Sequence, residues 1–389
     1  NEPLLSMGAV IGESLGSFLG LIGFIIMLGS ALGAILKKTG VAENIVIAVM
    51  KKIGINTETK AIIATMITSM ILCALLGTLA GANAIIAPIV IPLVAAIGIT
   101  PSSLAAVFMG AGLTGLFIGP FSPQVVTIMG LTGLSYGDYL ISAGIPVTLV
   151  CLLVTYFMSK RIQKSTKGVY AYDNTENVSI EKEMTKEAKN ATWAFLITIL
   201  VFVAYGIYAK SGASYAVVVM FVAAIVTGVV ARLSLNEIFE TLVDGASRMV
   251  WLFIMFVLFT PFITFIEESG AFNELVNILE PLLSSGNKIV FSMVSAFTGI
   301  FGIGGAAVAQ SVVMDKMFGG FVRDLAISPG LWAMIILIGS QITSFAYPEA
   351  DMLGQMGLAR SKDLKNMVKF GITVVIANLL LVLVRSFIG

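Results

Sequence analysis

Histidine does not occur anywhere in the 389 residues, so the usual imidazole metal ligand and the side chain best suited to general-base work near neutral pH are missing. Cysteine is almost as scarce. Cys73 and Cys151 both sit inside apolar segments without metal-site spacing, and read as packing residues rather than as a disulfide or a thiolate site. Charged residues make up 12% of the chain, against roughly 25% in soluble domains, which excludes a water-exposed globule of this size. A net charge of +1 offers no polyanion-binding face, so no nucleic-acid partner is expected. No metal cluster and no nucleophile paired with a base appears, so no enzyme and no cofactor are expected either.

What fills the chain instead is oil. Hydrophobic residues are 58% of the sequence, and the mean hydropathy is +1.00. Apolar stretches recur at Leu15–Leu36, Trp193–Ala209, Tyr215–Arg232, Met249–Ile266 and Met367–Val384. Each is long enough to cross about 30 Å of hydrocarbon. The expected fold class is an all-α membrane protein with the lipid bilayer as its surroundings.

The chain also repeats itself. The segment Lys37–Val46 aligns with Glu267–Val276 at an offset of 230 positions. Thr100-Pro101 then meets Ser328-Pro329, Pro120 meets Pro348, Met129-Gly130-Leu131 meets Met356-Gly357-Leu358 and Gly144-Ile145 meets Gly371-Ile372, at offsets of 227 to 228. Each copy parses alike. A spanning helix (Leu15–Leu36; Met249–Ile266) leads to an amphipathic interfacial arm (Val41–Ile53; Ala271–Leu283). A run too long for one span follows (Lys60–Gly98; Lys288–Ala326), interrupted at Gly77–Asn83 and Gly302–Ala307, and reads as a re-entrant hairpin. The next helix is broken by proline at Gly119–Pro123 and Phe345–Asp351, and a closing helix ends each copy at Tyr136–Ser159 and Leu364–Arg385.

Loop charges orient the copies. Lys37, Lys38, Lys51 and Lys52 in the first face Glu267, Glu268, Glu274 and Glu280 in the second. Before the closing helix the contrast reverses, with Asp138 alone in the first copy and Arg360, Lys362, Lys365 and Lys369 in the second. The positive-inside bias therefore predicts two inverted-topology repeats. The domains are residues 1–159 (repeat 1), a cytoplasmic linker at 160–190 carrying seven Lys/Arg, and residues 191–389 (repeat 2). Repeat 2 begins with two extra spans, and the expectation is that repeat 1 lacks its own counterparts.

Paired breaks at matching positions of inverted repeats are the best sequence pointer to a transport site. From repeat 1 the candidates are Gly81, Asn83, Ser122, Gln124 and Thr127. From repeat 2 they are Gly304, Gly305, Gln310, Thr343, Ser344, Glu349 and Asp351. Small residues admit a substrate to the backbone, half-helix N-termini face anionic groups, and amide and hydroxyl oxygens ligate Na⁺, expected near Asn83 and Ser344. Glu349 and Asp351 are the sharpest signal, because an ionisable group within a span costs roughly 2.5–3.5 kcal/mol on insertion scales. They suit a cation or proton site; the competing reading is a salt bridge to Arg360 or Lys316.

This order of elements, present twice with opposite orientation, resembles the ion transporter superfamily, which includes citrate and dicarboxylate permeases, gluconate permeases and a sodium/proton antiporter branch. The tips read Gly81-Ala82-Asn83 and Gly304–Ala307 where that superfamily carries a Ser-Asn-Thr signature, so the coupling ion, Na⁺ or H⁺, stays open. The resemblance implies an elevator mechanism against a homodimeric scaffold in a bacterial cytoplasmic (inner) membrane. The leading expectation is a secondary active transporter coupled to Na⁺ or H⁺, carrying a small-molecule substrate with a carboxylate, either an organic anion or an amino acid. The alternatives are a Na⁺/H⁺ antiporter, and a channel or non-transport scaffold.

Overall fold

A computed structural model describes residues 7–172, 184–212, 214–274, 277–278 and 287–388. Among these residues every regular element is helical, and seven helices are long and apolar enough to cross a membrane. The chain is an all-α membrane protein.

A short helix α1 (Met7–Leu15) precedes the first span α2 (Phe18–Lys38). The expected Leu15–Leu36 span is thus split at Gly16-Ser17, because Ser17 caps the new helix by accepting from the Gly20 amide at 3.1 Å. The arm α3 (Val41–Ile53) and the hairpin helices α4 (Glu58–Leu76) and α5 (Leu79–Ala95) follow. The hairpin break is narrower than the sequence predicts. Gly77 ends α4 at φ +64° and Thr78 is extended, and helix resumes at Leu79. Gly81 and Asn83 therefore lie inside α5, not at the tip.

The next elements are α6 (Pro101–Ile118), the half-helix α7 (Pro123–Thr132), α8 (Tyr136–Tyr139) and α9 (Ile145–Thr166), the last two joined by a π-turn at Leu140–Gly144. Helix α9 runs past the expected end at Ser159, since its last turns are tied down from the side. Gln163 accepts from the Thr100 amide at 2.9 Å and donates to the Gly98 carbonyl at 2.7 Å, while the Thr100 and Thr166 hydroxyls meet at 2.7 Å. Helix α10 (Lys186–Tyr208) likewise starts within the expected 160–190 linker, so the described non-helical connection is shorter than predicted.

Helices α11 (Tyr215–Val230), α12 (Leu235–Ser247) and α13 (Val250–Glu268) complete the middle of the chain. The expected second arm, Ala271–Leu283, lies largely outside the described residues. The second hairpin is α14 (Lys288–Ile300) and α15 (Ala307–Asp324), followed by α16 (Pro329–Gln341), a single turn α17 (Thr343–Ala346), the half-helix α18 (Ala350–Leu358) and α19 (Leu364–Ile388).

Helices α6 and α16 run through the centre and begin alike. Thr100 and Ser328 each cap the third residue onward, and Pro101 and Pro329 occupy the first helical position, where proline forfeits no hydrogen bond. Apolar helices gain nothing by leaving lipid for one another, so close packing must hold them. Gly115 illustrates it: a Cβ there would stand 2.3 Å from the Met70 carbonyl, so α4 and α6 approach as closely as their backbones permit. Outer helices keep apolar faces at helical spacing, as with Leu149, Leu153 and Phe157 on α9 and Ile372, Ile376 and Leu380 on α19.

The two halves exchange their half-helices. Helix α7 packs on α15 and α16 of the second half, and α18 packs on α5 and α6 of the first.

Candidate functional site

Proline and glycine stop α6 at Gly119, and the freed carbonyls must find donors within the protein. Tyr136 donates its hydroxyl to the Ile118 carbonyl at 2.6 Å, and Tyr139 to the Phe117 carbonyl at 2.8 Å. In the second half Gln310 does this work. Its Nε2 donates to the Gly299 carbonyl, to the Gly339 carbonyl at 2.6 Å and to Thr343 Oγ1 at 3.3 Å, while its Oε1 accepts from the Ile303 amide at 2.8 Å.

The breaks surround one cavity of about 320 Å³. Both hairpin tips reach it, at Gly77–Ala80 and Gly305–Ala309, as do both broken helices, at Phe121–Gln124 and at Gln341, Ser344 and Asp351. Spans α2 and α13 close the remaining side with Ile25, Gly29, Trp251, Phe256 and Phe259. The N-terminal ends of α5, α7, α15 and α18 therefore converge on one space. Those of α5, α7 and α15 have no side-chain cap, so their first amides remain available to an anion. Glu349 caps the fourth, accepting from the Asp351 amide at 3.0 Å.

Among the twelve predicted residues the structure brings Ser122, Gln124, Gly305, Ser344 and Asp351 to the cavity wall. Gln124 Nε2 donates to Ser311 Oγ at 2.8 Å and Ser340 Oγ at 2.7 Å, while its Oε1 is buried without a partner. Ser122 Oγ is buried without a partner as well. Ser344 donates to Asp351 Oδ2 at 3.0 Å. Among the described residues Asp351 is the only charged one lining the cavity.

Gly304 and Glu349 sit just behind that wall. A Cβ at Gly304 would stand 3.2 Å from the Glu349 Cβ, which is why the second tip is glycine there, and Glu349 Oε2 is buried without a partner. Lys316 bonds Glu267, and among the described residues no ion pair joins either acid to Arg360 or Lys316, the competing reading.

The other predicted residues serve the frame. Asn83 is fully buried: its Oδ1 accepts from Ser69 at 2.7 Å, and its Nδ2 donates to the Phe108 carbonyl at 3.0 Å and to Gln355 Oε1 at 2.7 Å. Gly81 lies one turn into the same helix. Thr127 donates to the Pro123 carbonyl at 2.7 Å within α7, and Gln310 and Thr343 hold the second hairpin against α16.

Sequence reasoning missed the aromatic wall of α13. Trp251, Phe256 and Phe259 reach the cavity because α13 packs along α2.

Paired hairpin tips and broken helices around a cavity between membrane-spanning helices are the architecture of a secondary membrane transporter. The chain belongs to the DctM component family of tripartite ATP-independent periplasmic transporters, whose family model matches residues 13–387. The family shown is this one, where the sequence alone pointed to the ion transporter superfamily. No curated protein matches the chain by sequence. Among solved structures, MtrF of Neisseria gonorrhoeae, from a class of antimetabolite efflux pumps, is similar with a TM-score of 0.63 and 15% identity, covering 99% of this chain and 85% of that one. The Alcanivorax borkumensis YdaH transporter is similar with the same TM-score and identity, covering 99% and 89%. At this identity the two likenesses show the fold.

Proposed function

We propose that this chain is the membrane carrier of a tripartite system, moving a small carboxylate-bearing metabolite by an elevator motion coupled to Na⁺ or H⁺. The observation that carries the reading is the convergence of three uncapped helix N-termini on one cavity, where their amides and dipoles favour a carboxylate. The four broken elements form the moving body, and α2 with α13 form the face against which it moves. Inverted repeats underlie the motion. The exchange of α7 and α18 between halves supports a two-fold relation, and the opposed loop charges favour an axis in the membrane plane.

Of the two sodium positions expected from the sequence, the one at Ser344 lies on the cavity wall. The second sodium position, at Asn83, is not retained, because that side chain is engaged by Ser69, Phe108 and Gln355 away from the cavity. The family description, with its periplasmic setting, supports a bacterial cytoplasmic (inner) membrane. It also makes the other tripartite components the natural partners of the immobile face, with a homodimer as the competing assembly.

A Na⁺/H⁺ antiporter is the second reading, favoured by Asp351 as the single charge on the cavity wall. Counterflow of labelled carboxylates into proteoliposomes holding the complete system, under Na⁺ or proton gradients, decides between them. Transport is expected to fall at least tenfold in Asp351→Asn and less in Glu349→Gln. Equal transport in both variants removes the coupling role of the acids, and Na⁺-driven proton release without organic substrate establishes antiport.

A further inference from the structure

The transporter reading leaves the substrate broad, and the cavity wall narrows it. We propose that the ligand is a small zwitterion, whose ammonium group is bound by Ser122, Gln124, Ser344 and Asp351 while its carboxylate meets the uncapped helix ends. This rests on the reading of the cavity as the transport site.

Polar atoms stand unpaired in the cavity wall. Ser122 and Gln124 are 1% and 2% exposed, both line the cavity, and Ser122 Oγ and Gln124 Oε1 have no hydrogen-bond partner. Gln124 spends both amide hydrogens on Ser311 and Ser340, so only its carbonyl is left to offer. Ser344 donates to one oxygen of Asp351, which steadies the carboxylate and leaves its other oxygen to a ligand. A ligand that donates no hydrogen bond would leave Gln124 Oε1 and the second oxygen of Asp351 unpaired, and sites built this way reject such ligands strongly.

Charge points the same way. Among the described residues no Lys or Arg lines the cavity, so a dicarboxylate would face Asp351 with no cation there to offset it. Trp251, Phe256 and Phe259 form the opposite wall, and aromatic faces attract an ammonium. The free amides of α5, α7 and α15 supply the complementary pole. At about 320 Å³ the cavity is small, which suits a compact amino-acid-like molecule rather than a larger conjugate.

The test is thermal unfolding of the purified full chain in detergent, with three additions: a mixture of the free α-amino acids, a mixture of mono- and dicarboxylates lacking an amine, and NaCl against choline chloride. Stabilisation by the amino-acid mixture alone is expected. The apparent affinity for the stabilising component should weaken on the order of tenfold to a hundredfold in Asp351→Asn, from loss of a charge-assisted hydrogen bond. Ser122→Ala breaks no hydrogen bond of the free protein, so it should melt like the parent and bind several-fold more weakly. Stabilisation by the amine-free carboxylates, retained in Asp351→Asn, overturns the ammonium site and leaves the transporter reading standing. Stabilisation by Na⁺ alone, lost in Asp351→Asn, gives the carboxylate to the coupling ion and also overturns it. No response to either mixture, together with no counterflow, strikes the transporter reading itself.

Discussion

The two hairpins are braced by the same chemical group, yet the two half-helices end on different ones. Asn83 and Gln310, 227 positions apart, each place a buried amide near the start of the returning helix and tie it to the outgoing helix and to the central helix that follows. Beyond that point the halves diverge. In the first half α7 begins with Ser122 and Gln124, which are neutral; in the second α18 begins with Glu349 and Asp351, which are acidic. The first half closes its helix break with two tyrosine hydroxyls, and the second with Gln310 itself. Framework chemistry is thus shared, and ligand-facing chemistry is not. The two half-helices differ in charge where the two braces agree.

The comparison breaks most directly at Gln310. Gln310→Leu removes its bonds to Gly299, Gly339, Thr343 and Ile303 and leaves buried backbone groups unpaired, and should lower unfolding stability by about 2–4 kcal/mol. The measurement is the denaturation midpoint in detergent; a loss far below that for Asn83→Leu would end the equivalence of the two braces. Asn83→Leu should cost about 2–3 kcal/mol, and a double-mutant cycle with Gln355→Leu should give a coupling of roughly 0.5–3 kcal/mol, since their 2.7 Å bond joins the halves. Additive effects would mean that this bond does not couple the halves. Tyr139→Phe should cost about 1–2 kcal/mol, with Tyr136→Phe somewhat less because it is only partly buried, both read from the same midpoint.

The smallest effect lies in α12, outside the repeated elements. Hydrogen bonds from the Ser234 backbone and hydroxyl, ahead of a weaker attraction from Lys38, hold the Glu237 carboxyl below its ordinary value near 4.5. A lowered folded-state value means that the helix start gains stability above the unfolded value and loses it as pH falls through the folded one. Amide exchange in the first turn of α12 should therefore accelerate on acidification below about pH 4.5, and Ser234→Ala should flatten that dependence. An unchanged pH profile in Ser234→Ala would show that the capping box is not its source.

The architecture was legible because glycine and proline act locally. Pro120, Pro123 and Pro348 mark breaks wherever they fall between apolar turns, and the breaks define the cavity. Proline is not decisive everywhere, since Pro88 and Pro92 stay inside α5. The direction in which a buried polar side chain turns was not legible at all. Asn83 and Gln310 sit at the expected depth but face neighbouring helices, a choice set by carbonyls 25 and 29 positions further along the chain. Ser122 and Gln124 were found because they begin a half-helix, whose N-terminus must point at the break. The wall from α13 required knowing that α2 and α13 lie together, which no local pattern states.

The exchange of half-helices also sets a timetable. Gln124 finds its partners at Ser311 and Ser340, 187 and 216 positions later in the chain. At ribosomal rates the first half spends roughly 10–40 s in the bilayer before those serines are made. During that interval α7 has α2 and α6 to rest on but lacks its partners in the second half, so the nascent protein must tolerate a half-docked, proline-broken segment or be shielded by the insertion machinery. Membrane quality control has its best opportunity then, and a slow stretch of translation before residue 311 would lengthen it.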